Sequence, residues 1–316
     1  MDSRVTITQR IDAVTLVTTD RFTDAPPAPR SVKIELTGRC NYRCGFCALR
    51  TRAVQPKGDM DPALFRKITR QMRNAGVEEI GVFYLGESLM APQLTVDAIR
   101  WCKEIGFPYV FLTTNGAAAT PAKVEACMAA GLDSLKFSLN FTDPAQLKEV
   151  AQVSGRNWQL AIDHLKAARE IRDAKGYATK IYASSIAFDG EQGDKMLELV
   201  AQITPYVDQH YWLPLYGMSG AAKAAGMQPQ PGNPGRLAAL REPLPCWSVF
   251  TEGHVTKDGL LSACCFGNGS TDTLVMADLT QVSFMEGWNS LKYRELRAAH
   301  LGKDVSKTAC AGCMSA

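Results

Sequence analysis

The sequence predicts an α/β protein, a partial (β/α)6 TIM-like barrel followed by a small C-terminal α+β domain made of a β-hairpin and a helix. Three observations predict it. From residue 31 to about 216, short β-type runs alternate with longer helical patterns, which implies parallel strands joined by right-handed crossovers. The alternation yields six units, too few for a closed eight-stranded barrel. No strand-to-helix turn carries a nucleotide-binding glycine fingerprint, so an open dinucleotide-binding sheet has no support.

Val32-Lys33-Ile34-Glu35-Leu36 alternates apolar and polar residues as a half-buried strand does. Asp61-Pro62 then supplies an N-cap and a proline at the first helical position, Leu64, Ile68 and Met72 recur every four residues, and Gly76 ends the helix. Ile80–Leu85 is a continuously apolar strand, and a helix begins near Ala91-Pro92. Tyr109–Leu112 is the third strand, and Thr120-Pro121 opens a helix that Gly131 closes. Leu135–Leu139, Lys180–Phe188 and Gln209–Leu215 complete the strand set, with helical segments near 157–174 and 193–203. Glycine and proline crowd 217–245, which reads as a linker or loop. Beyond it, Cys246–Thr251 and Leu260–Cys265 read as strands joined by the turn Lys257-Asp258-Gly259, and a helix covers about Phe284–Leu301. The expected division is an N-terminal extension (1–30), a barrel (31–216), a linker (217–245) and a C-terminal domain (246–316).

Composition bounds the partners. In 316 residues, 46% hydrophobic content fills a core, so disorder is not the dominant state. The net charge is only +3 and no Lys/Arg-rich block appears, so nucleic acid is not the expected partner. The most apolar stretches fall far short of the ~20 residues of a membrane span, and the N-terminus lacks a signal pattern, so no membrane role and a cytoplasmic location are expected.

The ten cysteines are too sparse for a disulfide scaffold, and they cluster. Cys40, Cys44 and Cys47 form Cys-x3-Cys-x2-Cys directly after the first strand, where α/β folds place their chemistry. Three thiolates on one loop can hold three irons of a [4Fe-4S] cubane and leave the fourth iron open for substrate or cofactor. Zinc usually takes a fourth ligand, and no other Cys or His occurs before Cys102; a zinc site or a plain thiol cluster is the alternative reading of the spacing.

With Phe46 as the aromatic residue, the loop resembles the defining Cys-x3-Cys-x-(aromatic)-Cys motif of radical S-adenosylmethionine (SAM) enzymes. The resemblance implies a partial barrel of six units, in agreement with the strand count, and a [4Fe-4S] cluster whose open iron chelates SAM. It implies reductive cleavage of SAM to a 5′-deoxyadenosyl radical that removes a hydrogen atom from substrate. It also implies cofactor contacts: Phe46 in the cysteine loop, Gly86 and Glu87, where Leu85-Gly86-Glu87 stands for the family's Gly-Gly-Glu, and Ser138, Asn140 and Ser184 toward the SAM ribose. For Ser138 the bland alternative is a solvated strand end.

Cys246-x12-Gly259-x4-Cys264, followed by Cys310-x2-Cys313, makes four thiolates in two pairs, and on spacing alone structural zinc is an equal reading. Beside the first motif, this pattern resembles the SPASM/twitch extension of radical SAM enzymes, and its spacings are similar to those of the twitch-domain dehydrogenase of butirosin biosynthesis. That implies one auxiliary [4Fe-4S] cluster ligated by Cys246, Cys264, Cys310 and Cys313, with no open iron and hence suited to moving electrons.

Cys265 reads as a packed residue or as a hydrogen-atom donor to a substrate radical, and strand alternation would point it away from Cys264. Cys102 and Cys127 read as packed helix residues, His164 and His300 as solvated or satisfied, His210 and His254 as weak candidates, and Tyr211, Trp212 and Tyr216 as core or as a substrate mouth. The expected function is a radical SAM oxidoreductase that acts on a small molecule, supplied with electrons by a flavodoxin- or ferredoxin-type donor. The alternatives are a peptide- or sugar-modifying epimerase or maturase using Cys265, and a non-catalytic zinc-binding interaction protein. About thirty residues precede the first strand, fewer than a separate peptide-recognition domain needs, which favours the small molecule over the peptide.

Overall fold

The computed structural model describes residues 5–47, 49, 57–216, 244–266 and 273–314. Six parallel strands, β1 (Ser31–Ile34), β2 (Glu79–Gly81), β3 (Tyr109–Thr114), β4 (Ser134–Ser138), β5 (Lys180–Ile186) and β6 (Gln209–Leu213), pair in sequence order. On the free side of β1 the chain returns as β7 (Glu252–Val255), parallel to it with Lys33 opposite His254. β8 (Leu260–Ser262) and β9 (Val275–Asp278) then add antiparallel, so one nine-stranded sheet includes the C-terminal segment. This sheet curls. Flat, β1 and β6 would stand about 24 Å apart at ~4.8 Å per strand, yet Lys33 on β1 and Tyr211 on β6 are near enough to shift each other's ionisation. The concave face is the lumen of a partial barrel.

The helices are α1 (Ile7–Thr15), α2 (Pro62–Asn74), α3 (Pro92–Glu104), α4 (Pro121–Ala129), α5 (Pro144–Ala151), α6 (Arg156–Lys175), α7 (Gly190–Ile203), α8 (Phe284–Trp288) and α9 (Leu291–Leu301). Asp61 caps α2 as expected, its Oδ1 accepting from Ala63 N at 2.9 Å, and Gly76 beyond its end takes φ +95°. Asp143-Pro144 repeats that signal and starts α5, which the sequence reading passed over because the element lasts only two turns.

Two further differences have local causes. Ser248–Thr251 is a helical turn instead of a strand, because Trp247 O gathers Phe250 N, Thr251 N and Thr251 Oγ1. The expected helix over 284–301 is two helices, because Ser290 recaps the chain by accepting from Tyr293 N at 3.3 Å. The Lys257-Asp258-Gly259 turn forms as expected, with Gly259 at φ +84° and its N–H bonded to Thr256 O. Most of the expected 217–245 linker, residues 217–243, lies outside the described residues.

Two layers fix which end of the barrel is open. Val32, Ile34, Ile80, Val110, Leu112, Leu135, Phe137, Ile181 and Ala183 are buried in the main apolar core on the helix side of the sheet. At the amino ends of the strands α1 lies across the barrel. Arg10 pairs with Glu79 at 2.7 Å and sits 3.7 Å over the Tyr109 ring, and Ile7 N donates to Gln209 Oε1 at 3.0 Å. The carboxyl ends of the strands are left to the cysteine loops.

Candidate functional site

The first cysteine loop leaves β1 at its carboxyl end and is held on three sides. Arg39 grips Asp59 through both carboxylate oxygens at 2.8 and 2.9 Å. Arg43 N and Gly45 N donate to Ala151 O and Val150 O at the end of α5. Phe46 stacks on Phe141, ring centroids 6.1 Å apart, in a small apolar cluster with Tyr42 and Leu147. Phe46 is therefore an anchor of the loop.

The third hold comes from β2. A Cβ on Gly86 would fall 1.9 Å from Thr37 O, so only glycine lets the loop after β2 lie against the cysteine loop, where Glu87 N donates to Arg39 O at 2.9 Å. The Glu87 carboxylate is buried beneath this junction. It accepts from Leu89 N (3.2 Å), Thr114 Oγ1 (3.0 Å) and Asn115 N (2.9 Å), while burial still pushes its pKa up. Gly86 and Glu87 thus tie the ends of β1, β2 and β3 together.

Cys40, Cys44 and Cys47 lie within this loop and form no disulfide. Cys40 Sγ receives Tyr42 N at 3.4 Å and faces Asn115 Nδ2 at 4.0 Å. Burial pushes the Cys40 thiol up to about 12, so its thiolate calls for a bound cation, and iron is such a partner. Among the described residues no three His, Cys, Asp or Glu side chains converge closely enough to hold a single ion. The donor set, three cysteines on one loop, suits a cubane, in which each thiolate would meet a different iron.

Ser138 and Asn140 stand at the carboxyl end of β4, where Ser138 shares a small cavity with Tyr42, Asn115 and Trp158. Asn140 Oδ1 is buried with no hydrogen-bond partner among the described residues. Ser184 lies opposite Ser138 and Tyr211 on the neighbouring strands and is fully buried.

The second set also comes together. The Cys246 thiol is raised by burial first and then by Cys264, Cys310 and Cys313, so the other three thiols lie within electrostatic reach of Cys246. His300 joins them. It is fully buried, its Nδ1 accepts from Cys246 N at 3.2 Å, and its Nε2 lies 3.4 Å from Cys310 Sγ. Because Nδ1 accepts, the proton is on Nε2 and points at the Cys310 sulfur. His300, expected to be solvated or satisfied, is shut off from solvent, and its position on a helix gives no sign that its partners are two cysteines. Cys264 and Cys265 follow the end of β8, so strand alternation does not separate them: the two thiols interact directly, which lowers Cys264 and raises Cys265.

The lumen between the two cysteine sets is polar, which the strand patterns alone did not reveal. Lys33 Nζ meets Glu252 Oε1 at 2.6 Å, and His254 Nε2 lies 3.1 Å from Oε2, off the line of a hydrogen bond. Burial opposes the Glu252 charge, but Lys33 and His254 outweigh it and hold the carboxyl down at about 2. The Tyr84 ring lies 5.3 Å from His254, and its hydroxyl donates to Cys264 O at 3.0 Å. Tyr216 reaches Phe266, with centroids 5.6 Å apart. His210 instead bonds Ser185 Oγ at 3.1 Å and packs on Trp212, and His164 bonds Gly116 O at 2.8 Å; both are structural.

A curled sheet whose first strand leads into a loop with Cys40, Cys44 and Cys47, and whose C-terminal extension carries four more cysteines, has the donor set of an iron-sulfur protein. The chain belongs to the radical SAM superfamily: that family's model matches residues 34–201, and the model of an iron-sulfur cluster-binding domain, SPASM, matches residues 246–314. The family's cofactors follow, namely [4Fe-4S] clusters and SAM. Among curated proteins, the PqqA peptide cyclase of Streptomyces rochei is 28% identical over 218 residues, covering 68% of this chain and 56% of that protein. The PqqA peptide cyclase of Methylobacterium nodulans is 28% identical over 124 residues, 39% of this chain and 32% of that protein. The chain thus matches between about a third and rather more than half of these relatives' length.

Among solved structures, Streptococcus suis SuiB bound to precursor peptide SuiA superposes with TM-score 0.67 at 16% identity, covering 87% of this chain and 68% of that one. BtrN in complex with AdoMet and 2-DOIA superposes with TM-score 0.58 at 15% identity, covering 90% and 91%. Both likenesses show the fold. No helix among the described residues is long and apolar enough to cross a membrane.

Proposed function

We propose that this chain is a radical SAM oxidoreductase whose C-terminal cysteines hold an electron-accepting cluster. The observation that carries the reading is the Tyr84 hydroxyl on Cys264 O: the end of β2, next to the SAM-site glutamate, and the auxiliary cysteines share one wall of the lumen. In this reading Cys40, Cys44 and Cys47 ligate the first cluster, and Cys246, Cys264, Cys310 and Cys313 the second. When bound, these groups supply a 5′-deoxyadenosyl radical for hydrogen-atom abstraction and a sink for the remaining electron.

The chain's own residues do the rest. Gly86 and Glu87 fix the floor of the SAM site, and Ser138 and Asn140 present polar atoms at the barrel mouth. The buried lumen keeps water from the reacting carbon. The barrel (31–216) carries the radical chemistry, the segment from 246 onward carries the auxiliary site, and a flavodoxin- or ferredoxin-type protein supplies the reducing electron.

A second reading concerns the substrate. Relatives named for a peptide substrate, and a neighbour bound to a precursor peptide, favour a peptide over a free small molecule. In the peptide-modifying variant Cys265, which acts electrostatically on Lys33 and Tyr84 of the lumen, returns a hydrogen atom to the substrate radical.

The test is anaerobic reconstitution: about eight irons per chain, two cubanes, and 5′-deoxyadenosine formed under strong reductant, lost in Cys44→Ala with the fold intact. Deoxyadenosine from Cys44→Ala, or a zinc-loaded chain that takes no iron, refutes the reading. Solvent deuterium in product that disappears in Cys265→Ala supports the hydrogen-return variant, and unchanged incorporation eliminates it.

A further inference from the structure

Inside the barrel, Lys33, Lys136, Glu252 and His254 form a charge set that does not balance. Lys136 is in the middle of β4, on the same face as Ser138 two residues on, and its Nζ lies 5.7 Å from the centre of the Tyr211 ring. Among the described residues, the charges that act on it are those of Lys33 and Glu252. Glu252 is already engaged by Lys33 at 2.6 Å, with His254 at its other oxygen. Two lysines therefore share one carboxylate. A half-buried ammonium beside a ring face and a like charge, with its nearest carboxylate already paired to Lys33, gains from an anion that completes the site.

We propose that Lys136 seats a carboxylate of the substrate on the lumen wall, below the rim formed by Ser138 and Asn140. The proposal rests on the radical SAM reading above and narrows its substrate class to an anionic molecule or an acidic side chain. Tyr211 forms one side of the seat, and Lys33, fixed by Glu252, adds a second positive charge without becoming a ligand. Burial, and next to it Lys33, push the Lys136 ammonium down to about 7; an arriving carboxylate favours its charged form and strengthens the pair. A carboxylate reaches this barrel from two sources, the substrate and the methionyl end of SAM, and the test separates them.

The holoenzyme is melted in succinate and in sodium chloride at equal ionic strength, for the native chain, Lys136→Met and Lys136→Arg. The expected result is a melting temperature about 2–4 °C higher in succinate for the native chain, a similar rise for Lys136→Arg, and under a quarter of it for Lys136→Met. SAM binding, measured separately, keeps its Kd within twofold in Lys136→Met. No rise in the native chain, or an equal rise in Lys136→Met, overturns the proposal. A tenfold weaker SAM Kd in Lys136→Met also overturns it, by assigning Lys136 to the SAM carboxylate. If Lys136→Met does not fold, Lys136→Gln replaces it under the same criteria. The succinate shift is read without turnover, so it stands or falls apart from the 5′-deoxyadenosine assay that judges the enzymatic reading.

Discussion

Replacing Gly86 by alanine tests whether the cysteine loop is held in place by contact with the loop after β2. The added methyl would lie 1.9 Å from Thr37 O and 3.0 Å from Arg39 O, and both are backbone atoms that no side-chain rotation can move. Restoring a carbon-oxygen contact of about 3.3 Å needs the loops to part by roughly 1.4 Å. That stretch breaks the Glu87 N to Arg39 O bond, now 2.9 Å. Overpacking of about 1–3 kcal/mol plus about 1 kcal/mol for the lost bond gives a destabilisation of about 2–4 kcal/mol, a fall in Tm of about 4–8 °C. Gly176→Ala is the control: it meets nothing within 4 Å and carries only the strain of φ +70°, about 1 kcal/mol. Urea unfolding of the apo chain gives the stabilities, and SAM titration of the reconstituted chain gives the function, expected to weaken at least tenfold in Gly86→Ala alone. If Gly86→Ala matches Gly176→Ala in stability and keeps native SAM affinity, the loop-contact account is wrong.

Three further outcomes follow from buried groups. Glu252, held from 4.5 down to about 2, contributes stability that is present above pH ~4.5 and lost as pH falls toward 2; at ~1.4 kcal/mol per unit this is about 3 kcal/mol. Glu252→Gln loses it at neutral pH and, in acid titration, lacks the native curve's decline across that window. Arg297→Met removes donors to Val249 O (2.8 Å), Asp24 O (3.0 Å) and Trp288 O (2.9 Å) and the stack on Trp288 and Tyr293, for about 3 kcal/mol; hydrogen exchange should quicken over 246–301 before the β2–β5 core. His300→Leu deletes the N–H directed at Cys310 Sγ, so a redox titration should show one cluster lowered in potential and the other unmoved.

Much of the barrel is legible in the sequence because its signals are local. Asp61-Pro62, Thr120-Pro121 and the glycines after each helix mark elements within a few residues of themselves, and three cysteines on one loop announce their own chemistry. What stayed hidden depends on distant pairing. Lys33 and Lys136 read as the polar half of their strands, and only the curl of the sheet turns them toward a shared lumen. Glu252 fell in a segment read as a hairpin approach, and nothing near it in sequence names Lys33 as its partner. His300 is helical by every local rule, and its link to Cys246 exists only because α9 packs beside the turn at 248–251.

The parallel pairing of β7 with β1 has a consequence for how the protein is made. β1 is synthesised about 220 residues before its second neighbour, a gap of roughly 10–40 s at ordinary synthesis rates. Until then the strand that carries the first cysteine loop has a bare edge, open to pairing with another chain. A fragment ending at the last barrel strand would keep that edge permanently and should aggregate, however complete its own six strands are.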